Sequence, residues 1–137
     1  MSLLVVGSLA LDTIETPFGK VDAYLTAHKW DGSTEDVAFA ADGSYAVMGV
    51  PDHLLRVDLA GEVTEIATTG DKFAYPLGMQ FAADGTLVFC DSTGHSLRTL
   101  DKGNKVSTLT TTDGKQPLVQ PNDLAVDAKG RVWFTDP

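Results

Sequence analysis

Glu35 and Asn122 carry the side chains best suited to chemistry in this 137-residue sequence, because an internal repeat places them at one structural position. Three segments align without gaps: Glu35-Asp36-Val37-Ala38-Phe39-Ala40-Ala41-Asp42-Gly43, then Leu77-Gly78-Met79-Gln80-Phe81-Ala82-Ala83-Asp84-Gly85, then Asn122-Asp123-Leu124-Ala125-Val126-Asp127-Ala128-Lys129-Gly130. Glu35, Leu77 and Asn122 head the three segments. A carboxylate and a carboxamide oxygen brought to one point suit a hard divalent cation, the first supplying charge and the second a neutral oxygen. Two ligands alone hold a metal poorly. The neighbouring Asp123 and Asp36 are therefore candidates for further ligands or for outer-shell supports of the first two. Oxygen-only ligands tolerate Ca²⁺ or Zn²⁺, so the expected cofactor is a divalent metal of either kind.

Other reactive residue types fit this chemistry less well. Cys90 lies within the apolar run Leu87-Val88-Phe89-Cys90 and reads as a small buried hydrophobe. His28, His53 and His95 share no ligand spacing and read as loop or surface residues. Ser92, His95 and Ser96 cluster, but no Gly-x-Ser-x-Gly elbow surrounds them, which argues against a serine hydrolase. Asp91 and Asp136 each end the second apolar strand of a hairpin, where a carboxylate is expected to receive backbone hydrogen bonds at the corner rather than to act in catalysis.

The elements that must position Glu35 and Asn122 follow from the same repeat. Gly43, Gly85 and Gly130 are spaced by 42 and 45 residues, a period typical of propeller blades. The local pattern is β. Each segment is a short apolar strand ending in Asp-Gly or Lys-Gly, where glycine accepts the positive φ of a tight hairpin. A second strand follows: Ser44–Met48, Thr86–Cys90 or Arg131–Thr135, rich in aromatic and β-branched residues. After the first two hairpins come a third strand, Leu54–Asp58 or Ser96–Asp101, a turn at Gly61 or Gly103, and a fourth strand, Val63–Ile66 or Val106–Leu109. Four antiparallel strands per repeat make one blade, so the expected fold is all-β, with two full blades over roughly 35–112 and a partial third from Pro121. In a propeller the first strand of each blade lines the central channel, so equivalent first-strand positions converge there.

Residues 30–137 thus read as an incomplete β-propeller, and residues 1–29 as an N-terminal strand and linker that either caps the blades or is unrelated to them. The stretch Leu3-Leu4-Val5-Val6-Gly7-Ser8 with Asp12 resembles the opening of ribokinase-like sugar kinases, which implies that Asp12 contacts a sugar. The Gly-rich anion hole of those kinases is not visible further on.

The third repeat carries a more specific resemblance. Pro121-Asn122-Asp123-Leu124-Ala125-Val126-Asp127-Ala128-Lys129-Gly130-Arg131-Val132-Trp133-Phe134-Thr135-Asp136-Pro137 resembles the signature of the gluconolactonase/senescence-marker-protein (regucalcin-like) family. Pro76-Leu77-Gly78-Met79-Gln80-Phe81 with Asp84-Gly85 is also similar to strictosidine-synthase-like relatives. The resemblance implies a six-bladed propeller with Ca²⁺ or Zn²⁺ in the channel, acting on lactones or related sugar-derived esters. It implies that Asn122 is the first channel Asn ligand and Glu35 the early Glu ligand, although Glu35-Asp36-Val37 stands where the family has Glu-Gly-Pro. It also implies an Asn and an Asp on later blades, the Asp being the general base, and these fall beyond Pro137.

Composition narrows the remaining classes. Apolar residues make up 43% and charged residues 21%, as in a globular domain. A net charge of -9 with ten scattered basic residues argues against nucleic acid. No apolar run reaches the roughly 18 residues of a membrane span. With a single cysteine and no basic residue before the apolar start, a cytoplasmic location is the default. The competing readings are a non-catalytic blade module that completes its ring as a homo-oligomer and, on residues 1–29 alone, a sugar-kinase fragment.

Overall fold

A computed structural model describes residues 36–68, 70 and 73–137, together with the backbone of 15–16 and 19–20. Glu35, Asp12, His28, the apolar start and the junction before Trp30 lie outside the described residues. In chain order the strands are β1 (Glu15–Thr16), β2 (Gly19–Lys20), β3 (Asp36–Phe39), β4 (Tyr45–Val50), β5 (His53–Asp58), β6 (Val63–Thr68), β7 (Pro76–Phe81), β8 (Leu87–Asp91), β9 (Ser96–Leu100), β10 (Val106–Thr110), β11 (Leu124–Val126) and β12 (Val132–Phe134). There is no α-helix among the described residues. β1 and β2 pair as a two-residue antiparallel ribbon.

Two four-stranded antiparallel meanders follow, ordered β3-β4-β5-β6 and β7-β8-β9-β10, and β11 pairs with β12. These are two blades and the inner hairpin of a third, as the repeat predicts. The glycines that close the inner hairpins, Gly43, Gly85 and Gly130, have φ of 71°, 84° and 76°. An L-residue with a Cβ resists that region, so the Gly at each period is a backbone requirement.

The turn between third and fourth strands corrects one expectation. Gly61 takes φ 80° in the first blade, but in the second it is Asn104, at φ 61°, and not Gly103, that adopts the left-handed conformation. The two turns share their hydrogen bonds. The Gly61 and Asn104 N–H groups donate to the carbonyls of Asp58 and Asp101 at 3.0 and 2.9 Å. Asn is one of the few residues that visit this region cheaply, so it replaces glycine without changing the turn.

The blades pack face to face. Val47 and Leu54 of the first blade meet Met79, Leu87, Phe89 and Leu100 of the second, and all are buried. Tyr45 meets Phe81 edge to face, with ring centroids 5.8 Å apart. On the other face of the second blade, Cys90, Leu97 and Leu118 pack against Leu124, Val132 and Phe134 of the third. Alternation along each strand sends neighbouring residues to opposite faces, so β8 serves both interfaces and is buried throughout. Trp133 points away from the second blade and is 61% exposed.

Candidate functional site

The starts of the inner strands β3, β7 and β11 gather at one end of the blades. There the position one residue after the predicted ligand position makes the contacts between blades. Asp36, Gly78 and Asp123 are its three occupants. The Met79 N–H donates to Asp36 Oδ2 at 2.6 Å, linking the first blade to the second. The Gly78 N–H donates to the Asn122 carbonyl at 2.9 Å, linking the second to the third. A Cβ on Gly78 would lie 2.6 Å from Asp123 Oδ1 and 2.9 Å from the Asn122 carbonyl oxygen. Only glycine leaves room there for Asp123. The paired strands bend at the same place, because the register of β7 on β8 shifts between Pro76 and Met79.

Burial governs the electrostatics of this end, with neighbouring acids adding to it. Burial raises the Asp36 carboxyl above its ordinary value, and the charge of Asp123 pushes it the same way, against the hydrogen bonds from Val37 and Met79. Cys90 lies close by, fully buried. Burial first, then the charges of Asp123, Asp36 and Asp136, push its thiol up to about 12, so it stays protonated. A protonated thiol is a poor metal ligand. Among the described residues, the candidate metal donors at this end are consequently oxygens.

Of the predicted site residues, the structure brings Asp36 and Asp123 together across Gly78. Asn122 is exposed and immediately precedes Asp123. Its backbone is fixed: the Asn122 N–H donates to the Thr135 carbonyl at 3.0 Å, and the Thr135 N–H donates to the Asp123 carbonyl at 2.9 Å. Asp123 Oδ1 accepts the Leu124 N–H at 2.8 Å. Leu77, which heads the second repeat, packs half-buried against the cluster of Cys90, Leu97 and Leu118. No group of three or more His, Cys, Asp or Glu side chains gathers among the described residues. The oxygen donors Asp36, Asn122 and Asp123 nevertheless match in type what a hard divalent cation takes.

Asp91 and Asp136 occupy equivalent corners and receive the backbone hydrogen bonds expected of them. Asp91 Oδ1 accepts from the Ala74 and Tyr75 N–H groups, both at 2.9 Å, and Asp91 Oδ2 accepts from Arg98 Nε at 3.1 Å. Asp136 accepts from the Val119 and Gln120 N–H groups. Each carboxylate holds the chain just before an inner strand, next to the buried Pro76 or Pro121. His53 and His95 sit apart, His53 against Glu65 at 3.2 Å and His95 against the Val119 carbonyl. The spacing role of Gly78 is not visible from residue type, although its place between Asp36 and Asp123 in the aligned repeats marks it. A recess of about 280 Å³ lies at the opposite, hairpin-turn end, between Tyr45 and Phe81, and contains none of these residues.

Known proteins share this blade architecture. Residues 30–137 match the model of the SMP-30/gluconolactonase/LRE-like region. A gluconolactonase from Xanthomonas campestris is similar in structure, with 26% identity and a TM-score of 0.67 over 78% of this chain. Virginiamycin B lyase from Staphylococcus aureus shares the fold, with 16% identity and a TM-score of 0.58 over 73% of this chain. The chain spans 36% of the length of the first and 33% of the second. A search of the curated proteins found no match. With a family match over most of its length and blades of the same build, the chain belongs to the SMP-30/gluconolactonase/LRE-like family.

Proposed function

We propose that this chain supplies part of the divalent-metal site of a lactone-hydrolysing propeller. Glu35 and Asn122 are the ligands it contributes, and Asp36 and Asp123 are further ligands or supports. The observation that carries this reading is the approach of Asp36 and Asp123 across Gly78, at an end whose described donors are oxygens. Neighbouring carboxylates repel, and a divalent cation relieves both that repulsion and the cost of burying Asp36.

The substrate class is a small lactone or sugar-derived ester. A bound Ca²⁺ or Zn²⁺ supplies Lewis acidity, which polarises the ester carbonyl and stabilises the charge that develops on its oxygen. The chain's residues hold the oxygens in place. The paired hydrogen bonds with Thr135, one accepted by its carbonyl and one donated by its N–H, fix the backbone of Asn122 and Asp123. The absence of a side chain at Gly78 sets how closely Asp123 approaches the second blade. The buried thiol of Cys90, kept neutral, leaves the carboxylates without a competing soft ligand.

Calorimetric titration of the chain with Ca²⁺ and with Zn²⁺ tests the reading. Saturable binding of at least one ion is expected, weakened about tenfold or more by Asn122→Ala, as removal of a metal-site group typically does. Binding unchanged by that substitution would overturn it.

A further inference from the structure

The segment leading into Asn122 is held on both sides. Asp136, one residue past the Thr135 that pairs with Asn122, accepts the Val119 N–H at 3.1 Å on Oδ1 and 2.9 Å on Oδ2. Its Oδ1 also accepts the Gln120 N–H at 2.5 Å. On the opposite side of the same residue, the ring of His95 meets the Val119 carbonyl through Nδ1. A carbonyl oxygen can only accept, so Nδ1 carries the proton and donates. His95 belongs to the second blade, in the loop between β8 and β9, where it takes φ 50°. Asp136 belongs to the third. Val119 is therefore gripped by one blade at its N–H and by another at its carbonyl, three residues before Asn122.

The second blade has a related arrangement, in which the Ser92 N–H of that same blade donates to the Tyr75 carbonyl at 2.9 Å. Asp91 grips the Ala74 and Tyr75 N–H groups before Pro76, as Asp136 grips Val119 and Gln120 before Pro121. That strand continues into Leu77, which is no ligand. In the first blade, the aligned position is Gly49, which has no carboxylate. The lead-in at Val119 is held by residues of two blades, and its strand starts with a candidate metal ligand.

We propose that Asp136 and His95 are positioning residues for Asn122, fixing the Val119–Gln120 backbone from two blades and so setting where the Asn122 oxygen meets the cation. The inference rests on the metal reading above. A ligand oxygen displaced by a fraction of an ångström loses much of its bond to a cation, so restraint of its backbone is felt in affinity.

The test is Ca²⁺ and Zn²⁺ titration of the full chain carrying single substitutions, with thermal unfolding followed in parallel. His95→Ala removes an exposed side chain and should weaken binding about tenfold. His95→Asn, which returns a donor near the Nδ1 position, should restore it. Asp136→Ala should weaken binding similarly, and Asp136→Asn, which keeps an acceptor oxygen, should weaken it less. Asp91→Asn should lower the unfolding midpoint without changing affinity. Should Asn122→Ala abolish binding while His95→Ala and Asp136→Ala leave it intact, the positioning role is wrong and the metal reading stands. Should Asn122→Ala itself leave binding unchanged, the metal reading fails and this inference with it. Equal loss of affinity in Asp91→Asn would mark a general effect on folding and would also overturn it.

Discussion

Asp127 holds the third hairpin turn with one carboxylate. Its Oδ1 accepts the Lys129 and Arg131 N–H groups at 2.8 and 3.0 Å, and its Oδ2 pairs with Arg131 Nε at 2.7 Å. The Arg131 bonds, backbone first, pull its pKa below the usual carboxylate range. A carboxyl lowered in the folded state contributes stability that is fully present above its unfolded value of 3.8 and is lost as pH falls through the folded value. Asp127→Ala should therefore lower the unfolding midpoint at pH 7, with the difference from the parent chain shrinking as pH falls below 3.8. Midpoints measured between pH 2 and pH 7 check this, and a gap independent of pH would count against it. At this scale the sequence was partly legible. Residue type gave Asp36 and Asp123 as neighbours of the candidate ligands, and it placed Asp91 and Asp136 as backbone acceptors. It did not give the contact across Gly78, because a missing side chain carries no chemical signal.

At the scale of the element, each turn demands a backbone conformation rather than a particular residue. The repeat showed where the chain reverses, since Gly43, Gly85 and Gly130 recur in register with the apolar strands. It misplaced the left-handed residue between β9 and β10 because a glycine stands one position early, at Gly103, while Asn104 takes the positive φ. Asn104→Ala should cost about 1 kcal/mol, because alanine keeps the strain of a Cβ in the left-handed region and loses the polar side chain that offsets it in asparagine. Asn104→Gly should stay within a few tenths of the parent. Urea unfolding of both variants checks the ordering, and equal costs would mean that the turn is not what Asn104 provides. Strand ends shifted by a residue or two for a related reason. Hydrogen bonding continues as far as the partner strand allows, and the partner's length is not a local property.

At the scale of the whole molecule, stability comes from blade against blade. Phe89 is fully buried, with the Phe73 ring edge to face at 5.6 Å. It lies in the cluster that joins the first two blades. Phe89→Ala should cost about 3–5 kcal/mol, the loss of a buried aromatic together with the cavity it leaves. Because that loss falls on the surface shared by both blades, they should still unfold in one transition, at lower denaturant, seen equally by fluorescence and circular dichroism. The sequence by itself determined the blade period, the strand order within each blade and the oxygen-rich residue types at the strand starts, because alternation and turn chemistry are local. Only the tertiary structure decided which carboxylates face each other and how closely the third blade approaches the second. It also decided that Val119 is gripped from two blades. Those depend on the packing of one sheet on the next, between residues far apart in the chain. The repeat that aligned Glu35 with Asn122 thus pointed to the end of the blades where the proposed site lies, and packing put the observed contact between blades one residue along, at Asp36, Gly78 and Asp123.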